Sequence, residues 1–246
     1  MLPDLIVPDW PAPPGVKALQ TTRGGGVSAA PYASLNLGDH VGDEPAAVAA
    51  NRRRLADCLP AEPLWLTQVH GVTVADAGSA RPGTEADGVV ARQAGRVCAV
   101  MTADCLPLLL CDRAGTTVAA VHAGWRGLAA GVIEATVAAM GCSSENLLAW
   151  LGPAIGPGAF EVGDEVRAAF TVSDPRAADA FAPGAPGKWL ADIWLLARQR
   201  LAALGVDAVW GGGECTVADG ERFFSYRRDG VTGRMGTFIW LAGDRS

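Results

Sequence analysis

The stretch TTVAAVHAGWRGLAAGVIEATVAAM, residues 116–140, determines how the rest of the chain can be interpreted. Its first part, TTVAAVHA, is apolar and partly β-branched, which is typical of a buried strand. The following GLAAGVIEATVAAM is predicted to form a helix, and Gly141 stands just beyond it, where helices commonly end. A strand that runs directly into a helix places His122 at one edge of a sheet, where functional sites are often built.

Further strands and helices are predicted on both sides of this unit. RVCAVMT and LPLLLCD precede it as apolar, buried strands, and LLAWLGPAIGP follows as a strand that runs into a Gly/Pro loop. LWLTQVHGVTVA indicates two short strands around His70 and Gly71, and RFFSYR and GTFIWLA indicate two late strands. Helices are predicted for EPAAVAANRRRLADCL, GDEVRAAF and DIWLLARQRLAALG. The strands cluster between helices without strict alternation, which favours an α+β sandwich over a doubly wound sheet.

The chain is predicted to be a single domain over residues 1–246, with residues 1–18 as a proline-rich N-terminal arm. It contains no internal repeat and no linker rich in Ser, Gly or charge. The nearest approach to a break is DPRAADAFAPGAPGK, residues 174–188, which is predicted to be a long surface loop.

Composition excludes several classes of protein. No apolar run approaches the roughly 20 residues of a membrane helix, and the proline-interrupted start does not resemble a signal peptide. We therefore expect a soluble, cytoplasmic chain. A formal net charge of −6 without a long basic tract argues against nucleic acid as the main partner. The six cysteines form no CxxC pair, so they are expected to be reduced core thiols or metal ligands.

Three potential metal ligands follow apolar strands. His70 closes WLTQVHG, Cys105 closes VMTADC, and His122 closes VAAVH. Their separations of 35 and 17 positions are too wide for a zinc finger, but strand ends can converge at one edge of a sheet. Thiolate and neutral imidazole suit zinc, and three protein ligands leave a fourth position open. The alternative is that each histidine is a hydrogen-bonded ring without a metal.

Other polar residues near these strand ends are candidates for supporting roles. Asp104 precedes Cys105, and Gln68 lies two positions before His70, so either could orient a ligand or handle a proton. Arg126, near the start of the predicted helix, is a candidate anion seat. Arg23 in TTRGGGVS is a second one, although a flexible hairpin is the more common outcome for such a turn. Cys98 and Cys111 could add a fourth ligand, but they lie inside apolar strands and are expected to be core thiols.

Seven segments of the chain, in the order in which they occur, resemble the motifs of a known family. The motifs match, in order, the purine nucleoside phosphorylase family once described as multicopper polyphenol oxidoreductases or laccases, which also includes the peptidoglycan editing factor. The resemblance covers nearly the whole chain, from about Thr21 to about Leu241. It implies one α/β domain with helices flanking central sheets, and a zinc ion bound by His70, Cys105 and His122. The segments that carry it are TTRGGGVSAAPYASLNLGDHVGDEP, WLTQVHG, EADGVV, MTADCLPLLLCD, HAGWRGLAAGVIEATV, LGPAIGPGAFEVGDEV and FFSYRRDGVTGRMGTFIWL.

The resemblance also implies an activity, namely cleavage of adenosine, inosine or methylthioadenosine with phosphate, and in some members deamination of adenosine. Zinc would lower the pKa of a bound water to about 7. Asp104 is the first candidate for general acid/base and Glu161 the second. Arg23 and Arg126 are expected to bind phosphate, with Arg126 also taking part in catalysis. Asn36 is expected to bind sugar or phosphate, and Gln68 to bind substrate or phosphate. The expected partners are a purine nucleoside and phosphate, with neither nucleic acid nor membrane, and the chain is expected to be a monomer.

Three other functions compete with this one. A multicopper oxidase needs many more histidines than the three present, which argues strongly against it. A peptidoglycan editing amidase could use the same zinc site on a nucleotide-linked muramyl peptide precursor. A non-enzymatic zinc scaffold would require a closed, four-ligand site.

Two further polar segments of the family motifs are given structural roles. His40, in LGDHVGD, is assigned to a polar turn. SYRRDGVTGR, residues 225–234, is interpreted as a solvated hairpin in preference to a substrate contact.

Overall fold

The computed structural model describes residues 4–243, which form three sheets and a set of mostly short helices. The strands are β1 (Leu5–Ile6), β2 (Val16–Thr21), β3 (Val74–Asp76), β4 (Gly88–Ala91), β5 (Val97–Thr102), β6 (Leu106–Asp112), β7 (Val118–Ala123), β8 (Leu147–Leu151), β9 (Glu161–Gly163), β10 (Phe181–Pro183), β11 (Lys188–Ala191), β12 (Val209–Gly211) and β13 (Met235–Leu241). The α-helices are α1 (Pro45–Ala56), α2 (Trp125–Ala130), α3 (Val132–Met140), α4 (Asp164–Thr171), α5 (Ile193–Ala203) and α6 (Tyr226–Asp229). Two 3₁₀ turns cover Ser144–Asn146 and Pro175–Ala180.

The largest sheet has six strands in the order β12-β8-β6-β7-β4-β3. Its outer pairs β12–β8 and β3–β4 are parallel, whereas the inner pairs are antiparallel. A four-stranded sheet has the order β1-β2-β13-β5 and is antiparallel throughout. A three-stranded sheet has the order β10-β11-β9. This mixed arrangement confirms the predicted α+β class.

The core is layered, with the six-stranded sheet in the middle. Along β6, Leu108 and Leu110 pack with the helices α3 and α5, whereas Leu109 and Cys111 pack with the four-stranded sheet. Side chains alternate between the two faces of a strand, so a sheet covered on both faces needs apolar residues at every position. This explains why β6 is an unbroken apolar run. On the far side of the four-stranded sheet, Leu55 of α1 packs in a further cluster, so helices flank the sheets on both sides.

Several elements differ from the prediction. The single helix expected after residue 126 is two helices, α2 and α3, because Gly131 adopts φ 102° between them. RFFSYR is not a strand: Phe223 and Phe224 are fully buried in a loop, and the Ser225 side chain caps α6 by accepting from the Arg228 N–H. Residues 174–188 are not a bare loop but contain the 3₁₀ turn and the start of the β10–β11 hairpin.

The N-terminal arm and the segment before His70 also contain short stretches of β-structure. In the N-terminal arm, β1 pairs with β2 at the edge of the four-stranded sheet, and residues 1–3 lie outside the described part of the chain. Of the two strands expected around His70, only β3 forms, and the earlier one is reduced to isolated bridges at Leu64 and Thr67. No helix within residues 4–243 has both the length and the apolar character required to cross a membrane.

Candidate metal centre

His70, Cys105 and His122 meet at one end of the six-stranded sheet. Cys105 directly precedes β6, and His122 lies near the end of β7, opposite Pro107 in the β6–β7 pair. His70 comes from the loop before β3. Their ligand atoms all lie within 4.8 Å of one another, and Cys105 Sγ is 3.8 Å from His70 Nε2. The structure thus brings together the three residues that the sequence predicted.

The backbone is unusual in the two loops that carry His70 and Cys105. His70 has φ 59° and Asp104 has φ 91°, and they are the non-glycine residues with positive φ among residues 4–243. Such conformations are uncommon for residues with a Cβ and persist only where surrounding contacts impose them. His70 belongs to the three-residue group and Asp104 directly precedes Cys105, so these backbone conformations shape the loops that bring the two ligand side chains together.

Asp87, which the sequence analysis did not single out, supports this group. Its Oδ1 accepts from His122 Nδ1 (2.7 Å) and from the His70 N–H (2.9 Å). Its Oδ2 accepts from the N–H groups of Gly71 (2.7 Å) and Val69 (3.2 Å). Because a carboxylate only accepts, Nδ1 of His122 carries a proton, and Nε2 is the ring atom on the side of Cys105 that would bind a metal. One carboxylate therefore orients two of the three ligands.

Asp87 is fully buried immediately before β4, which pairs with β7 next to His122. A signal for it was present in the sequence, in the segment EADGVV. An aspartate just before an apolar strand is also a common turn residue, so sequence alone could not separate the two roles.

Electrostatics favour the charge state in which Cys105 can bind a metal. Burial opposes ionisation of Cys105, but His122 and His70 outweigh it and lower the pKa of the thiol to about 6. Burial also opposes charge on His122, and the Cys105 thiolate and Asp87 outweigh it and raise the pKa of that ring. Asp87 is held ionised, since hydrogen bonds from His122 and Gly71 lower its pKa against the effect of burial. By contrast, burial raises the pKa of Cys98 and Cys111, as expected for core thiols.

The group opens into a cavity of about 490 Å³. His122 is 3% exposed and forms part of the floor, Cys105 is half-buried, and His70 reaches solvent. Gln68 also lines the cavity, but its amide is hydrogen-bonded to the backbone of Met101. Its Nε2 donates to the Met101 carbonyl (2.8 Å), and its Oε1 accepts from the Met101 N–H (2.7 Å). Gln68 thus ties the His70 loop to β5.

Asp104 lines the same cavity and is 8% exposed. Its Oδ1 accepts from the Thr216 hydroxyl (2.6 Å), and its Oδ2 accepts from the Arg227 N–H (2.7 Å). This carboxylate therefore joins the loop before Cys105 to the first turn of α6, in addition to facing the cavity.

Four of the predicted site residues do not line the cavity. Arg126 is exposed, with its guanidinium 4.5 Å from the centre of the Trp125 ring. The Arg23 guanidinium is bound to two backbone carbonyls, those of Ala33 and Gly220, and stacks on a phenylalanine. Asn36 is fully buried within its own loop, and Glu161 is an exposed residue of β9.

Cations that the sequence analysis placed elsewhere line the cavity instead. Arg227 and Arg234, both from SYRRDGVTGR, contribute to its wall, as do His40 and Tyr226. The expected hairpin is the helix α6 followed by a turn, so these residues face the site and not only solvent. Arg228 has a structural role, because its guanidinium donates to the carbonyls of residues 216, 217 and 223.

The fold and the site define a class: a layered α/β protein with a His₂Cys group, suited to one metal ion, at the base of a cationic cavity. The chain belongs to the multi-copper polyphenol oxidoreductase laccase family, whose model matches residues 17–242.

Individual relatives bear a different name. The chain is 59% identical over 237 residues to the purine nucleoside phosphorylase PA4543 of Pseudomonas aeruginosa, with 96% of this chain and 98% of that protein covered. It is 58% identical over 240 residues to the purine nucleoside phosphorylase YfiH of Escherichia coli, with the same coverage. The crystal structure of Neisseria meningitidis protein NMB0706 superposes with a TM-score of 0.93 at 53% identity and covers 97% of this chain and 99% of its own.

Proposed function

We propose that this chain is a zinc-dependent purine nucleoside phosphorylase that cleaves adenosine, inosine or methylthioadenosine with phosphate. The observation that carries the proposal is one cavity that holds both a three-ligand metal group and two arginines, Arg227 and Arg234. The names of relatives at 58–59% identity over almost their whole length support the same activity.

The donor set fits zinc. One thiolate and two imidazoles match its borderline-soft character, and three protein ligands are typical of catalytic zinc sites. Among residues 4–243, no further His, Cys, Asp or Glu joins the group. When bound, zinc would supply a positive charge that polarises a ligand oxygen and lowers the pKa of water. The protein contributes orientation of the ligands, through the bond from His122 to Asp87.

Arg234 is the strongest candidate for binding phosphate. Arg234 lines the cavity, and among residues 4–243 no carboxylate oxygen lies within 4.0 Å of its guanidinium nitrogens. Burial lowers its pKa, partly offset by Cys105 and Asp104. A partly buried cation without a paired anion is costly, so an anionic ligand would be stabilising there. Arg234 thus replaces Arg23 and Arg126 as the centre of the proposed phosphate cradle.

Arg227 is the second member of the cradle. Its Nη1 donates to the carbonyls of Ala159 (3.2 Å) and Glu161 (3.0 Å), which fixes the head of the side chain at the cavity wall. Its remaining guanidinium N–H groups are available to an anion. Because Arg227 also donates its backbone N–H to Asp104, the cradle is connected to the loop that carries Cys105.

The apolar part of the wall suits a purine. Trp125, Phe160, Ile155 and Ile193 line the cavity together with Tyr226, which is 62% exposed at its mouth. Aromatic and aliphatic surfaces of this kind bind the flat faces of a base, while a few polar groups fix its orientation. The cavity of about 490 Å³ lies within the usual range for small-molecule sites, about 300–1,000 Å³.

In phosphorolysis, a phosphate oxygen forms a bond to C1′ of the sugar as the bond from C1′ to the base nitrogen breaks. The electron pair of that bond goes to the base, which must take up a proton. Asp104 faces the cavity and Glu161 does not line it, so we assign proton transfer to Asp104. Deamination of adenosine, in which water replaces the amino group and ammonia leaves, is a second reaction that the same metal group would support.

The experiment that tests the proposal measures zinc content and turnover on one preparation. Adenosine, inosine and methylthioadenosine are assayed with and without phosphate, for the wild type, Cys105→Ala and the matched control Cys142→Ala, a half-buried cysteine outside the cavity. We expect one zinc per chain and phosphate-dependent release of base, both lost only in Cys105→Ala. Zinc without turnover on any nucleoside would reject the proposal and favour an amidase acting on a nucleotide-linked muramyl peptide.

A further inference from the structure

Asn36 lies in the segment between β2 and α1 and is fully buried. Its Nδ2 donates to the Gly38 carbonyl (3.0 Å) and to Asp43 Oδ2 (2.9 Å). Its Oδ1 accepts from the N–H groups of Gly38 (2.9 Å) and Arg234 (2.8 Å). A side-chain amide has two donor hydrogens and two acceptor lone pairs, so these four bonds use its full capacity. Asn36 has nothing left with which to bind a sugar or phosphate.

Asp43 determines which way the Asn36 amide points. The two ends of an amide have nearly the same shape, so the neighbouring groups decide its orientation. Because the Asp43 carboxylate only accepts, Nδ2 must face it, and Oδ1 is left to face the N–H of Arg234. Asp43 is itself held by the Ser28 hydroxyl (2.6 Å) and the Glu44 N–H (2.8 Å).

The same segment fixes the rest of Arg234. Its carbonyl accepts from the Leu37 N–H (3.1 Å), so the backbone is held on both sides of the residue. At Gly38, a Cβ would lie 2.8 Å from Arg234 Cγ, so the absence of a side chain there admits the arginine stem. The guanidinium Nη1 donates to two carbonyls of the turn that precedes it.

We propose that Asn36 is a positioning residue for Arg234, and that it sets the affinity for phosphate without touching the phosphate. This inference rests on the proposed function, in which Arg234 binds the anion. Asn36 accepts the backbone N–H at the base of the arginine, and Asp43 keeps the amide in the orientation that allows it. Loss of the Asn36 oxygen would leave that N–H without its acceptor and release the stem of Arg234 from the cavity wall.

The test measures binding of inorganic phosphate to the purified full chain by calorimetry. Asn36→Ala removes the acceptor of the Arg234 N–H. We expect the phosphate Kd to rise about tenfold, which is equivalent to the loss of one charge-assisted hydrogen bond between Arg234 and phosphate. Zinc content and inosine affinity should not change.

Asn51→Ala is the matched control, since Asn51 is equally buried and belongs to the same network but does not contact Arg234. It should lower Tm and leave the phosphate Kd unchanged. If Asn36→Ala does not fold, Asn36→Ser replaces it, because the shorter side chain also fails to reach the Arg234 N–H. A folded variant at position 36 with the wild-type phosphate Kd overturns this inference alone. A wild-type protein that does not bind phosphate overturns the proposed function as well.

Discussion

Asp87→Asn is the substitution that best tests how the metal centre is built. Asparagine keeps the size of aspartate but offers one acceptor oxygen in place of two. If that oxygen keeps the bonds to His122 and His70, the new NH₂ group faces the N–H groups of Val69 and Gly71. The opposite orientation puts the NH₂ group against His122. Neither orientation satisfies all four donors, so both the loop and the ligand are disturbed.

The size of the effect follows from these bonds. A buried donor left without an acceptor costs about 1–3 kcal/mol. Two are lost, but the loop around His70 reaches solvent and water can replace part of the loss, so we expect a decrease of about 2 kcal/mol in the free energy of unfolding. Loss of a carboxylate that orients a ligand histidine typically weakens metal binding by about 10- to 100-fold. We expect a change of that size in the zinc Kd of Asp87→Asn.

The zinc Kd is measured by competition with a chromogenic chelator, and stability by urea unfolding of the metal-free protein. The matched control is Asp112→Asn. Asp112 is also a buried aspartate, bound to the Thr116 and Thr117 N–H groups, but it lies at the opposite end of β6 from Cys105. The control should lose stability and keep its zinc Kd. A zinc Kd for Asp87→Asn within about threefold of the wild type would refute the reasoning, since it falls below the usual range.

Three further predictions concern the same site. Gly124→Ala should weaken zinc binding at least about tenfold, because a Cβ at position 124 would lie 3.0 Å from Cys105 Sγ. Gly158→Ala is the control, because a Cβ at position 158 would face open space, and it should leave the zinc affinity unchanged. Equal zinc affinities of the two variants would contradict this prediction. In the metal-free protein, the thiolate of Cys105 forms as pH rises through about 6, because the two ligand histidines outweigh burial, so iodoacetamide should label it with a midpoint near pH 6 by mass spectrometry. Cys111, whose pKa is raised by burial, should remain unlabelled, and a Cys105 midpoint near pH 9 would be inconsistent with the pairing. In Asp104→Asn, the amide oxygen can accept from the Arg227 N–H and the NH₂ group can donate to the Thr216 hydroxyl, so Tm should change little. Turnover should fall at least about 100-fold, and unchanged turnover would remove Asp104 from proton transfer.

The strands and the meeting of His70, Cys105 and His122 could be predicted from the sequence for the same physical reason. Buried strands such as β6 must be apolar on both faces, so polar residues at their ends stand out against them. His70, Cys105 and His122 are such residues, and the sheet brings them together as expected. The break at Gly131 was missed, because a glycine inside a helical pattern is often tolerated without a change of direction.

The arginines of the cavity could not be predicted in the same way. Arg23 and Arg126 each directly precede a glycine, a pattern that is typical of anion sites. Arg227 and Arg234, in contrast, lie in a polar segment that is typical of a solvated turn. Their direction depends on tertiary contacts that the local pattern does not contain. Asp104 holds the start of α6 through residue 227, and Asn36 holds residue 234 from nearly 200 positions away.

The way in which the fold holds His70, Cys105 and His122 bears on the choice between catalysis and a structural zinc scaffold. The chain crosses from the four-stranded sheet to the six-stranded sheet between β5 and β6, and Cys105 lies at that crossing. The segments of His70 and His122 are held by Asp87 and by strand pairing, so protein hydrogen bonds already fix the ligands. A structural zinc ion is needed where the chain cannot hold its ligand segments by itself. Here the fold holds them without a metal, which favours the proposed catalytic role over a structural one.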